Sequence, residues 1–114
     1  KERIQKALES IDGVRVVNER PEAETSWFGV PTVCEDNNLK RSLVAYLEEN
    51  KIQTRNYFAG NILLHPGYRD LGKASDYPNA NQVLDKVFFL GCSPTINEKM
   101  LQYIEKVIGN YVSN

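Results

Sequence analysis

Apolar positions recur along this chain at two periods, and each change of period marks an element. Ile4, Leu8 and Ile11 share one helical face with Ala7 beside them, and Gly13 follows as a stop. Residues 14–18 (VRVVN) suit a short strand or an extended connector. The polar ERPEAET that follows, broken by Pro21, reads as a loop. Residues 26–34 (SWFGVPTVC) are rich in aromatic and β-branched side chains and predict a strand. Pro31 lacks an N–H, which favours an edge position or a bulge there.

Asn37 or Asn38 caps a predicted helix over 39–49, with Leu39, Leu43, Val44 and Leu47 inward and Lys40, Arg41, Glu48 and Glu49 toward water. Residues 51–55 (KIQTR) predict another short strand. From 62 to 81 runs a long excursion holding Pro66, Gly67, Gly72 and Pro78, and long loops in compact domains tend to be functional or mobile. Asn79 or Asn81 starts a short helix toward Lys86, with Val83 and Leu84 inward. Residues 87–91 (VFFLG) form an apolar run of strand length, covered on both sides. Thr95-Ile96-Asn97-Glu98 has the capping-box form, and the helix after it carries Met100, Leu101, Ile104, Val107, Ile108 and Tyr111 at helical spacing. These elements make an α+β domain, a short sheet with helices packed on one face.

Composition narrows the function classes. The chain has 114 residues, with 14 Lys+Arg against 15 Asp+Glu, so its net charge is −1. That length supports a single domain with one core, spanning 1–114. The charge balance argues against a nucleic-acid partner, and no apolar run approaches the ~20 residues a membrane helix needs. KERIQKALES at the start has no signal-peptide character. Cys34 and Cys92 form no CxxC pair and suggest a reducing, cytoplasmic setting, with both thiols buried as small hydrophobes. With His65 the only histidine, the spacing matches no metal-ligand pattern.

No P-loop, GxGxxG, HExxH or GxSxG is present, so no self-contained catalytic signature exists. The unusual stretch is Thr54-Arg55-Asn56-Tyr57-Phe58-Ala59-Gly60-Asn61, which joins a cation, two aromatics and a Gly-Asn turn. Arg55 can grip a phosphate or carboxylate with two parallel bonds, or pair with a surface Glu. Gly60 permits a conformation or a close approach that a β-carbon blocks, and Asn61 offers both donor and acceptor.

Several motifs, in one order, make a more specific pattern. Ser26-Trp27-Phe28-Gly29-x-Pro31, then Thr54-Arg55-x-x-Phe58-Ala59-Gly60-Asn61, His65-Pro66, the turn Asn79-Ala80-Asn81 and Phe88-x-x-Gly91-x-x-Pro94 resemble a C-terminal region. It is that of the DegT/DnrJ/EryC1/StrS nucleotide-sugar aminotransferase/dehydratase family, of aspartate aminotransferase fold, nearest its CDP-4-keto-6-deoxyglucose 3-dehydrase branch. The likeness covers about 25–112. His65 stands where the family usually has Gln, and Gln82 where that branch tends to carry Arg.

The resemblance implies the small domain of a fold type I pyridoxal-phosphate enzyme, with the large cofactor-binding domain outside these residues. It implies pyridoxal 5′-phosphate or pyridoxamine 5′-phosphate as cofactor, held mainly by that large domain, and a nucleotide-sugar substrate in lipopolysaccharide deoxysugar biosynthesis. A homodimer and, in some members, an iron–sulfur cluster and a reductase partner belong to the same expectation; the cluster's cysteines would lie on the large domain, since two scattered cysteines hold no such cluster. The chain alone is then inactive and carries no catalytic residue. Its substrate contacts would be Trp27 and Phe28 as an apolar wall, Arg55 as an anion contact, Gly60 and Asn61 as a shaped turn, and His65. A sugar aminotransferase small domain and a free-standing α+β ligand-binding or regulatory module are the alternatives.

Overall fold

A computed structural model describes all residues, Lys1–Asn114. Its elements are α1 (Glu2–Leu8), β1 (Val14–Val16), β2 (Gly29–Cys34), α2 (Asn37–Glu49), β3 (Thr54–Asn56), α3 (Pro78–Lys86), β4 (Val87–Gly91) and α4 (Glu98–Ser113). The strands form one antiparallel sheet in the order β1-β2-β4-β3. The α+β class, with helices on one face of a short sheet, is the observed architecture.

Alternation along the strands separates the two faces. Val14, Val16, Val30, Cys34, Phe88 and Leu90 point to the helices and pack with Ile4, Leu8, Leu43, Leu47, Val107 and Ile108 in one core. The opposite face carries a cross-strand row, Pro31 opposite Phe89 and Phe89 opposite Arg55. No helix covers this second face. Rings from the adjoining loops partly shield it instead, so Phe89 is buried while its neighbours stay exposed.

Several local expectations change. Residues 14–16 are a strand, whereas Ser26, Trp27 and Phe28 lie before β2 rather than within it. Pro31 is in an interior strand with an unbroken register, not at an edge or a bulge. Its carbonyl accepts from the Val17 N–H at 3.0 Å, so its nitrogen faces the same side, just where β1 ends. The absent N–H therefore costs one bond at the end of a ladder.

Asp36, not Asn37 or Asn38, caps α2, its carboxylate accepting from the Leu39 N–H at 2.8 Å. Asn97, not Thr95, caps α4 by accepting from the Met100 N–H, while the Thr95 and Ser93 hydroxyls pair with each other. Asn79 and Asn81 lie inside α3, whose first residue is Pro78, a favourable place for proline. Strand β3 covers 54–56, because Lys51 turns the chain at a φ of 63°. The 62–81 excursion contains three short 3-10 turns, Ile62–Leu64, Pro66–Leu71 and Ala74–Asp76.

Lys40 differs most from expectation. It lies three residues before Leu43 and seven before Leu47, on the apolar face of α2, and is only 7% exposed. Cys92 is half-buried and donates from Sγ to the Trp27 carbonyl, while Cys34 is fully buried. No helix is long and apolar enough to cross a membrane.

Candidate functional site

The uncovered sheet face holds an open depression of about 640 Å³ lined by Phe28, Thr54, Arg55, Asn56, Phe58 and Phe89. Phe89 forms its floor. Its ring lies so close over Gly29 that a β-carbon there would sit 2.4 Å from Cδ2. Phe28 and Phe58 flank it with centroids 5.7 and 6.0 Å from that of Phe89, and Tyr57 adds an edge-on contact at 6.1 Å. Aromatic pairs at these separations are mutually favourable. Even so, Phe28 remains 77% and Phe58 70% exposed.

Arg55, at the centre of β3, is exposed and forms no ion pair or side-chain hydrogen bond within the chain. No carboxylate lines the depression. An unpaired guanidinium beside exposed aromatic rings suits a ligand with both an anionic group and an apolar or flat surface.

Leu84 fixes the segment that carries these groups. Its carbonyl accepts from Lys40 Nζ at 2.6 Å, and the same ammonium donates to Asn56 Oδ1 at 3.1 Å. Burial pushes the Lys40 ammonium below its ordinary pKa, opposed by the nearby charges of Cys34 and Asp85. The Leu84 side chain meets Gly60, where an added β-carbon would lie 2.7 Å from Leu84 Cβ. Gly60 is at a φ of 64° and Phe58 at 54°. Burial also raises the Cys34 thiol to about 11.

The structure thus brings Phe28 and Arg55 together and separates the other expected contacts. Trp27 is half-buried on another side, its ring 4.0 Å below Lys1 Nζ, in a surface hollow shared with α1 and Leu101. Asn61 is 3% exposed and fully engaged, accepting from the Leu63 N–H and donating to Ala74 O and Asn81 Oδ1. Gly60 is a packing position against α3. His65 is exposed, with Nε2 3.1 Å from the Ala59 carbonyl, and lies outside the depression. Asn61, Gly60 and His65 therefore lie outside this depression.

Phe58, Phe89 and Lys40 were not among the expected site residues. The signal for Lys40 was its helical spacing with Leu43 and Leu47. For Phe89, alternation in β4 places it opposite Phe88 and Leu90, but the sequence does not show that the second face lacks a helix.

A pyridoxal-phosphate site needs an amine or base over the ring, an acid at the pyridine nitrogen and a phosphate cradle. Lys40, the one buried ammonium, is committed to Leu84 and Asn56, and the depression contains no acid. No buried side-chain nitrogen or oxygen awaits a partner. These residues do not by themselves fit the whole cofactor.

The profile of the DegT/DnrJ/EryC1/StrS aminotransferase family matches residues 1–108. The chain belongs to this family. Among curated proteins, it is 31% identical over 115 aligned residues to a dTDP-4-dehydro-2,6-dideoxy-D-glucose 3-dehydratase of Saccharopolyspora spinosa, covering 97% of this chain and 25% of that protein. It is 35% identical over 97 residues to the lipopolysaccharide biosynthesis protein RfbH of Salmonella typhimurium, covering 75% and 22% respectively. The chain spans about a quarter of these relatives' length. The fold recurs in the aminotransferase TlmJ of Streptoalloteichus hindustanus, with TM-score 0.81, 16% identity, and coverage of 98% of this chain and 30% of that one. DesV of S. venezuelae, solved with a ketimine intermediate, gives a TM-score of 0.80 at 14% identity, over 99% and 31%. At these identities the likeness shows a shared fold.

Proposed function

We propose that this chain is the small domain of a larger pyridoxal- or pyridoxamine-phosphate-dependent enzyme, a nucleotide-sugar 3-dehydratase of deoxysugar biosynthesis. In that enzyme it closes the substrate pocket. The observation that carries this reading is the uncovered sheet face, where Arg55 has no partner and Phe28 and Phe58 remain exposed beside it. A face of this kind on a single-layer sheet suits closure against something else. The likeness to a 3-dehydratase and to a lipopolysaccharide biosynthesis protein supports the reaction and pathway class.

The cofactor supplies carbanion stabilisation in such enzymes. The parts assigned to this chain are simpler. Arg55 binds an anionic group of the substrate, and Phe28 walls the pocket and excludes water. Lys40 and Gly60 hold the Arg55 segment in place. The cofactor and its proton-transfer residue are assigned to the large domain.

The aminotransferase reading rests on one specific observation, the match of residues 1–108 to a family described as aminotransferases. Incubating the full-length enzyme with a nucleotide-linked 4-keto-6-deoxyhexose separates the two. With pyridoxamine phosphate, the dehydratase reading predicts a product that has lost the C3 hydroxyl. Glutamate-dependent formation of an amino sugar, with no C3 deoxygenation, would replace it with the aminotransferase reading.

A further inference from the structure

Phe58 is an aromatic residue held at a φ of 54°, where bulky side chains are rarely found. Such positions persist where the surrounding structure over-determines them, and they cluster at ligand-binding sites. Here the surroundings are specific. The Phe58 N–H donates to the Asn56 carbonyl at 2.7 Å, Asn56 is held by Lys40, and Gly60 is pressed against Leu84. The fold therefore fixes this ring on both sides of the turn, yet leaves 70% of the residue exposed.

The rings of Phe28 and Phe58 are inclined by only 26° to each other, with centroids 6.3 Å apart, and both rest on Phe89. Two nearly parallel rings with open faces offer a stacking surface for a flat ring. In the same depression stands the unpaired Arg55 guanidinium, on the strand face it shares with Phe89. No acidic side chain opposes an anion there.

Resting on the proposed nucleotide-sugar reading, we infer that Phe58, with Phe28, is the platform on which the substrate's nucleobase stacks while Arg55 takes its diphosphate. Charge and shape favour this ligand over a covering protein surface, because a buried interface would leave the Arg55 charge needing a carboxylate partner. Phe58 then determines affinity for the base, and Arg55 affinity for the anion.

The test is calorimetric titration of the full-length enzyme with thymidine 5′-diphosphate and with inorganic pyrophosphate. The variants are Phe58→Ala and Phe58→Asn; asparagine tolerates positive φ and keeps the turn while removing the ring. Loss of one base–aromatic stack should weaken the nucleotide at least about 5-fold and leave pyrophosphate within about 2-fold. Phe58→Trp should retain nucleotide binding, and Arg55→Ala should weaken both probes. Unchanged nucleotide affinity in Phe58→Asn overturns the inference. So does an equal loss of both probes, or a lowered Tm with intact affinity, which would make Phe58 an interdomain packing residue. The titration needs no turnover. An enzyme inactive on 4-keto sugars but dependent on Phe58 for nucleotide binding would overturn the dehydratase reading and leave this inference standing.

Discussion

Cys34 and Lys40 lie close enough to influence each other's charge, and burial pushes them in directions with opposite consequences for stability. The Cys34 thiol rises from an ordinary 9.0 to about 11. Between these values the unfolded chain has released the proton and the folded chain keeps it, so the contribution of Cys34 is complete below about pH 9 and is lost as pH rises toward 11. Lys40 is lowered from 10.5 and loses its proton first in the folded chain, so its contribution grows as pH rises toward 10.5. Cys34→Ala should therefore lose less stability than wild type between pH 8.5 and 10.5, by on the order of 2 kcal/mol, in urea unfolding followed across that range. Parallel pH profiles for the two proteins would contradict the assignment. Asp36 makes a simpler case. Asp36→Ala should cost about 1 kcal/mol through the lost bond to the Leu39 N–H, measured as a lowered urea midpoint at an unchanged slope.

At the scale of elements, patterns of apolar spacing proved more legible than the devices that end and join them. The stripe Leu43, Leu47 and the alternate residues Phe88 and Leu90 became core as their periods require, because burial of these side chains dominates the local choice. Phe89 instead lies on the face that no helix covers, so the run 87–91 is not covered alike on both sides. The caps were off by one or two residues, since Asp36, Asn37 and Asn38 all suit the position and only the chain's entry angle selects among them. Within the depression, Arg55 and Phe28 could be singled out from the chain, whereas the internal engagement of Asn61 could not. Its partners, Ala74 and Asn81, are 13 and 20 positions away and meet it only through the three 3-10 turns. Gly60 joins this loop to α3, and its role yields a clear expectation. Gly60→Ala must tolerate both the φ of 64° and overlap with Leu84, so it should lower stability by about 1–3 kcal/mol. Thermal unfolding checks this, and a variant as stable as wild type would mean that the loop does not rest on α3.

The whole molecule is a plate rather than a ball. Its extents are 47 × 36 × 23 Å and its radius of gyration is 15.4 Å, above the ~13 Å of a compact domain of about 100 residues. One layer of helices and one sheet account for this shape, with the sheet's second face left to loop aromatics. Because the residues of this plate do not enclose a cofactor, the 114-residue chain titrated with pyridoxal 5′-phosphate should show no saturable absorbance above the protein band. A stoichiometric adduct on one of its lysines would contradict that. The central claim is that the open face with Arg55 serves a substrate and not merely the fold. It is tested most directly by kcat/KM, beside the thermal midpoint, for full-length wild type, Arg55→Ala and Arg55→Lys on a nucleotide-linked 4-keto sugar. Truncating a charged partner in a desolvated contact costs ~2–5 kcal/mol, against at most ~1 kcal/mol for an exposed ion pair. The account predicts a fall of about 30-fold or more for Arg55→Ala, corresponding to the lower end of that range, at a nearly unchanged midpoint. Arg55→Lys should recover only part of it, because an ammonium lacks the planar fork. An unchanged kcat/KM in Arg55→Ala would reduce the residue to a surface charge and contradict the assignment of this face to the substrate.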